Sequence, residues 1–347
     1  MKRRYTSIAL LLVCASWFVA GCGNGTQQKD HDHHGHHHHH AVDPHIWHDP
    51  KNAIHSIGQI RDALKKKVKG TSGKPKVVAT FSVLGDWVKN VGGEDIELIT
   101  LVGADGDAHT FEPTASDAKA VANADLVFEI GIGFETWLDK LYKSSESKGR
   151  RVVVSRGLEL IESEHHHHHH EDDDEDGHHD EDEDHDHNEK ELDLVTSEFA
   201  EQFETRATKY IAELNALDQF VQDEVKKLPI PRRILVTNHD TFGYFARRYD
   251  FKVPATVLAS FSSEANDPSP KTFARLIRKI KVQKVPAIFA ENTTNPKLTE
   301  RLAKEADVKL GPPLYTDALG ESGTDGETYL KMMRYNVTTI VENLKAD

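Results

Sequence analysis

The sequence predicts an α/β protein of two lobes, each a mostly parallel four-stranded sheet flanked by helices, joined by one long rigid spine helix. Three observations predict it. Short apolar runs alternate with helix-period segments from Lys76 to Val154, and again from Arg233 to Leu344. Between those stretches, Asp193 to about Lys227 holds few breakers and repeats apolar residues at helical spacing: Phe199, Phe203, Tyr210, Leu214, Leu217, Phe220 and Val221. At 347 residues, the chain has room for about two domains.

The N-terminus reads as a targeting segment. Lys2, Arg3 and Arg4 precede an apolar run, Ile8 to Val19, that is too short for a comfortable membrane span. It ends Val19-Ala20-Gly21-Cys22, which resembles the lipobox of bacterial lipoproteins, where the cysteine becomes the lipidated first residue. Residues 1–22 are therefore expected to be a lipoprotein signal peptide, Cys22 the lipidated residue, and the protein exported and anchored at a membrane facing the periplasm or cell surface. Cys14, the other cysteine, falls in the part removed. The mature chain then has no disulfide and no thiolate ligand.

Residues 23–42 read as a flexible His-rich tether. Residues 43–70 hold the run Asp43-Pro44-His45-Ile46-Trp47-His48-Asp49-Pro50 and a helix. Asp49 suits an N-cap and Pro50 a first turn. The helix runs to about Lys67, with Ile54, Ile57, Ile60 and Leu64 on one face. In the first lobe, residues 74–160, strands are expected over 76–81, 96–102, 126–130 and 151–154. Helices are expected over 83–91, 116–122 and 134–142. A His- and acid-rich tract fills 161–190 and the spine 191–229. In the second lobe, 230–347, strands are expected over 233–236, 255–258, 287–290 and 313–315. Helices are expected over 242–249, 273–282, 298–306 and 329–344.

The net charge is −14, but twelve acids fall between Glu171 and Asp186, so the rest of the chain is close to neutral. No basic patch or aromatic-rich strip argues for nucleic acid. Of 23 histidines, eighteen sit in two polar tracts, His31 to His40 and His165 to His187. Such tracts cannot bury apolar surface. They are a solvated charge run or a loose metal trap, since imidazole ligates zinc, nickel and copper.

Three residues outside the tracts lie just past the carboxyl end of an expected parallel strand, where open α/β sheets bind ligands. They are His109 in Asp107-Ala108-His109-Thr110-Phe111-Glu112-Pro113, His239 in Thr237-Asn238-His239-Asp240, and Asp317 after Pro313-Leu314-Tyr315-Thr316. Taken singly, each His is as readily a hydrogen-bonded loop residue, and Asp317 a turn or cap. Two lobes facing each other would bring them together, and His45 could supply a fourth ligand. Three neutral imidazoles and one carboxylate make a tetrahedral site suited to Zn²⁺. A second carboxylate in place of one imidazole shifts the preference toward Mn²⁺.

These motifs resemble the zinc-specific solute-binding proteins of bacterial ABC transporters, within the wider zinc- and manganese-binding group. The resemblance rests on Asp43-Pro44-His45-Ile46-Trp47, His109-Thr110-Phe111-Glu112-Pro113 and Asn238-His239-Asp240-Thr241-Phe242-Gly243-Tyr244-Phe245, with support from Asp317, Tyr329 and Asn336. It implies the ligand set His45, His109, His239 and Asp317, a zinc ion as cargo, and a membrane permease with its cytoplasmic ATPase as partners. The chain is expected to be a monomer that binds no nucleic acid. A Glu at the place of His239 would resemble the manganese members. In that family the Asp-Pro-His-x-Trp motif and its helix follow the first lobe, whereas here they precede it. The segment either docks in its usual place through a different connection or leaves three protein ligands and an open position. Auxiliary ligand candidates are His48 (otherwise a partly exposed packing residue), His165, His167, His169, His178 and His179.

Two other functions compete. A zinc hydrolase would use an open coordination position and Glu112 as base, but no His-Glu-x-x-His helix is present. A surface adhesin or metal-storage lipoprotein would use the tracts themselves, with many weak sites in place of one tight one.

Overall fold

The structure is a computed structural model that describes residues 42–68, 73–162, 198–258 and 268–345. The signal segment, Cys22 and the ligand candidates His165, His167, His169, His178 and His179 lie outside the described residues. One turn of 3-10 helix, Ile46–His48, leads into α1 (Pro50–Val68). The expected apolar face holds: Ile57, Ile60 and Leu64 are buried, and Ile54 is partly buried against the same core.

The first lobe contains β1 (Lys76–Phe81), α2 (Ser82–Gly92), β2 (Glu97–Val102), α3 (Ala115–Ala122), β3 (Leu126–Glu129), α4 (Leu138–Ser144) and β4 (Arg150–Val153). Its sheet has the order β2-β1-β3-β4, and every pair is parallel. Helix α4 starts four residues later than the apolar pattern suggests. The chain first turns through Gly131, Ile132 and Gly133, all at positive φ, which no helix accommodates. The Glu135 carboxylate holds that turn. It accepts hydrogen bonds from Ile130 N at 2.8 Å, Gly131 N at 3.0 Å and Thr80 Oγ1 at 2.8 Å.

The spine is α5 (Glu198–Val225), 28 residues long, or about 42 Å at 1.5 Å per residue. Its buried stripe, Phe203, Ala207, Tyr210, Leu214, Leu217 and Val221, packs on α1 and α2. The second lobe then adds α6 (Gly243–Tyr249), α7 (Pro270–Val282), β5 (Ala287–Glu291), α8 (Lys297–Ala306), β6 (Lys309–Leu314) and α9 (Tyr329–Leu344), of which α9 also packs on the spine. The spine is tied to α6 by Asp218, whose carboxylate accepts from Arg248 Nη2 at 2.6 Å and Tyr249 Oη at 2.9 Å.

The second sheet is less regular than the first. β5 and β6 pair in parallel. The segments expected as strands at 233–236 and 255–258 meet through one parallel bridge, Ile234 with Lys252. Further bonds run from Val257 N to Thr237 O at 3.0 Å and from Leu258 N to Asn238 O at 2.7 Å. Phe289 N donates to Val236 O at 3.0 Å and joins this pair to β5. The spatial order is thus 252–258, 234–238, β5, β6, which repeats the order of the first lobe. Pro254 has no N–H to give a ladder, which accounts for the interruption in the outer segment. Pro312 and Pro313 lie in β6, the opposite edge, where proline is tolerated.

Because α1 and α5 share one core, truncation there is costly. Leu64→Ala and Leu214→Ala are each expected to lower the unfolding free energy by about 2–5 kcal/mol, read from urea melts. A change near zero at Leu64 would mean that α1 is not packed on the spine.

Candidate metal centre

Four side chains from four separate segments converge between the lobes. His45 comes from the N-terminal turn, His109 from the loop after β2, His239 from the loop before α6, and Asp317 from the loop after β6. One ligand atom from each lies within 4.8 Å of the others, and all four residues are buried. Asp317 sits at the centre of the set. Its Oδ1 is 3.5 Å from His45 Nε2. Its Oδ2 is 3.6 Å from His109 Nε2 and 3.0 Å from His239 Nε2. The structure thus brings together all four residues expected from the sequence, and the His45 segment does reach the cluster.

Local sequence explains how each ring is aimed. Asp43 lies two residues before His45 and turns its carboxylate back on it. Oδ1 accepts from His45 N at 2.9 Å and pairs with Nδ1 at 2.7 Å. Glu291, the last residue of β5, does the same for His239. Oε1 accepts from its backbone N at 3.0 Å, and Oε2 pairs with Nδ1 at 2.5 Å. An ionised carboxylate only accepts, so Nδ1 carries the hydrogen in both rings and Nε2 is the atom presented to the cluster. His109 is placed differently. Its backbone N donates to Asp107 Oδ1 at 2.8 Å, and its ring packs edge-on against Phe134 at 4.8 Å. Trp137 Nε1 donates to Ala108 O at 2.8 Å and fixes the loop behind it. Asp317 is held through its neighbour, since Thr316 N donates to Asn292 Oδ1 at 3.1 Å.

The electrostatics are those of a cation site. Burial disfavours the Asp317 carboxylate, but His239, His45 and His109 outweigh it and hold its pKa well below the usual carboxylate range. Burial likewise opposes a charged His239, yet Glu291 and Asp317 raise its pKa well above 6.5. His109 moves the other way: burial pulls it down to about 4 against the attraction of Asp317. His109 Nε2, His239 Nε2 and both Asp317 oxygens are buried without a well-formed hydrogen bond. Groups left so in a folded interior cost about 1–3 kcal/mol each unless something else binds them.

One expectation needs correction. His48 is fully buried, not a partly exposed packing residue. Its ring stacks on Phe242 at 4.4 Å, its Nε2 meets Thr241 Oγ1 at 3.2 Å, and burial lowers its pKa to about 3. It is not among the four convergent side chains. Glu112 is exposed and stands outside the cluster. The roles of Asp43 and Glu291 were not read from the sequence. A carboxylate two residues before a candidate ligand, and another ending the adjacent strand, were the available signals.

The chain resembles known proteins over most of its length. A family model described as zinc-uptake complex component A, periplasmic, matches residues 15–71 and 77–343. The zinc-binding protein TroA of Treponema pallidum is 34% identical over 305 residues, 84% of this chain and 96% of that protein. The metal ABC transporter substrate-binding lipoprotein FimA of Streptococcus parasanguinis is 30% identical over 79% of this chain and 91% of its own length. The manganese ABC transporter substrate-binding lipoprotein PsaA of Streptococcus mitis is 28% identical over 80% and 92%. Among solved structures, the periplasmic zinc-binding protein TroA has a TM-score of 0.63 at 28% identity, over 79% of this chain and 100% of that one. A manganese-bound periplasmic metal-binding protein from Candidatus Liberibacter asiaticus shares the fold, with a TM-score of 0.60 at 22% identity over 78% and 99%.

If Glu291 orients His239, Glu291→Gln should weaken Zn²⁺ binding by about 10–100-fold, read by competition with a chromophoric chelator. An unchanged affinity in a folded variant would remove Glu291 from that role.

Proposed function

The chain belongs to the family described as zinc-uptake complex component A, periplasmic, and from that premise we propose that it captures Zn²⁺ between its lobes and delivers it to an ABC transporter permease. The relatives are substrate-binding proteins of metal ABC transporters, and the chain is a metal-binding protein of that kind, not an enzyme. The hydrolase reading falls with this. The proposed ligands are His45, His109, His239 and Asp317. The observation that carries the proposal is a buried set of three imidazoles around one carboxylate, within 4.8 Å of one another.

Zinc suits that donor set best, because three nitrogens and one carboxylate oxygen fill a tetrahedral shell. Manganese prefers more oxygen. It is the second reading, because both Asp317 oxygens face imidazoles and so stand ready for a larger shell. The cargo is expected to pass to a membrane permease driven by a cytoplasmic ATPase, with the binding protein acting as a monomer. Cys22 is the proposed lipid attachment point that keeps it at the exported face of the membrane, and the relatives FimA and PsaA are named as lipoproteins. Metal storage in the tracts is the alternative, and the count of tight sites separates the two.

Two outcomes test the proposal. By calorimetry the mature chain should bind one Zn²⁺ tightly and in preference to Mn²⁺. His109→Ala or His239→Ala should lower that affinity by more than about 100-fold, beyond the cost of losing a supporting carboxylate, whereas deleting Glu164 to His187 should spare it. The reverse pattern would move the site into the tract. The raised pKa of His239 adds a second expectation. Its ring holds a proton at neutral pH until metal displaces it, so binding should release about one proton per Zn²⁺ and weaken as the pH falls. Titrations in buffers of different ionisation enthalpy read that number directly, and a value of zero would mean that His239 is already neutral.

A further inference from the structure

Every charged residue on the face of α7 turned away from the core is basic. Lys271, Arg275, Arg278, Lys279, Lys281 and, just past the helix, Lys284 are exposed, and no acid lies between Lys271 and Lys284. Phe273, Leu276 and Ile280 form the opposite, buried face. Lys271, Arg275, Arg278 and Val282 are spaced four, three and four residues apart, so they line up as one outer stripe. Val282, at the end of that stripe, is 81% exposed, the most of any large apolar side chain so classed among the described residues.

Among the described residues, none of the six cations has an ion-pair partner. On the neighbouring helix α8, Glu305 is held by Arg301 at 2.7 Å, and the Arg301 guanidinium lies 4.6 Å over the Phe273 ring. The stripe therefore sets like charges three and four residues apart, which weakens a helix. Such a face is compensated when it meets an anion-rich surface. The overall charge of −14 conceals it in the composition.

We propose that this face of α7 is an electrostatic docking surface for an anionic phospholipid bilayer. Headgroup phosphates neutralise the stripe, and Val282 enters the headgroup layer, as apolar side chains of interfacial helices do. The segment from Gly23 to Val42 spans at most about 70 Å when fully extended, so a chain anchored at Cys22 stays beside the bilayer. The proposal rests on the reading of Cys22 as a lipid anchor, which keeps the chain beside a membrane, and it adds an orientation that an anchor alone does not give.

The test uses the mature chain from Gly23, without lipid, so that binding reports α7 and not the anchor. It should co-sediment with phosphatidylglycerol vesicles at low salt, dissociate at high salt, and leave phosphatidylcholine vesicles unbound. The triple variant Lys271→Gln, Arg275→Gln, Arg278→Gln should bind at least tenfold more weakly with its Zn²⁺ affinity and melting temperature unchanged. Equal binding by variant and parent, equal binding to both lipids, or no binding at all would overturn the proposal. Retention only on neutral vesicles that carry the permease, lost in the variant, would overturn it in favour of an acidic protein surface. The mass of the full chain extracted from membranes reports acylation at Cys22 separately, so failure of the anchor reading is distinguishable.

Discussion

The rest of the structure is arranged around one buried carboxylate. Asp317 is removed from water, and its charge is supported from three sides by imidazoles. Burying an ion is tolerable only with such compensation. Compensation by His239 requires that ring to be protonated, and Glu291 raises its pKa to allow it. The charge on a protonated His239 thus lies between the Glu291 and Asp317 carboxylates. A divalent cation supplies the same compensation with more charge at shorter range. The balancing groups come from separate segments of the chain.

Hydrogen bonds behind the rings tie these segments to one another. Trp47 Nε1 donates to Thr316 O at 2.8 Å, one residue from Asp317. Tyr329 Oη donates to Trp47 O at 2.6 Å, two residues from His45. The turn that presents His45 is therefore fastened to the loop that presents Asp317 and to the last helix. Trp47, Phe81 and Phe134 form an aromatic layer on the first-lobe side, with ring centroids 4.9–5.0 Å apart, and Phe134 also backs His109. Movement of one lobe against the other must disturb this layer or the α5 core before it can open the cluster.

Much of this was legible in the sequence, for identifiable reasons. His109, His239 and Asp317 follow apolar runs, and ligands gather at the carboxyl ends of parallel strands, so their position in the chain predicts their position in space. The apolar spacing along α1 and α5 gave both helices within a few residues. What escaped were features decided by partners remote in the chain. Glu291 looks like an ordinary strand-end acid until β5 is set beside the 234–238 segment. His48 looks exposable until Phe242 covers it. Helix α4 carries a helical pattern from residue 134, but the backbone at Gly131 to Gly133 and the Glu135 carboxylate defer its start. The irregular second sheet follows from Pro254, whose effect depends on which strand it faces.

One small pairing ties distant parts of the chain together. Val42 and Glu162 form an antiparallel bridge, and Asp43 N donates to Ile161 O at 2.8 Å. His40 stands two residues before this bridge and His165 three residues after it. The bridge thus sets positions 42 and 162 side by side, although they are far apart in the chain. That point adjoins Asp43, the residue that aims His45. Because Asp43 Oδ1 also pairs with His45 Nδ1, this bridge fastens the aim of one imidazole to the chain end of the first lobe.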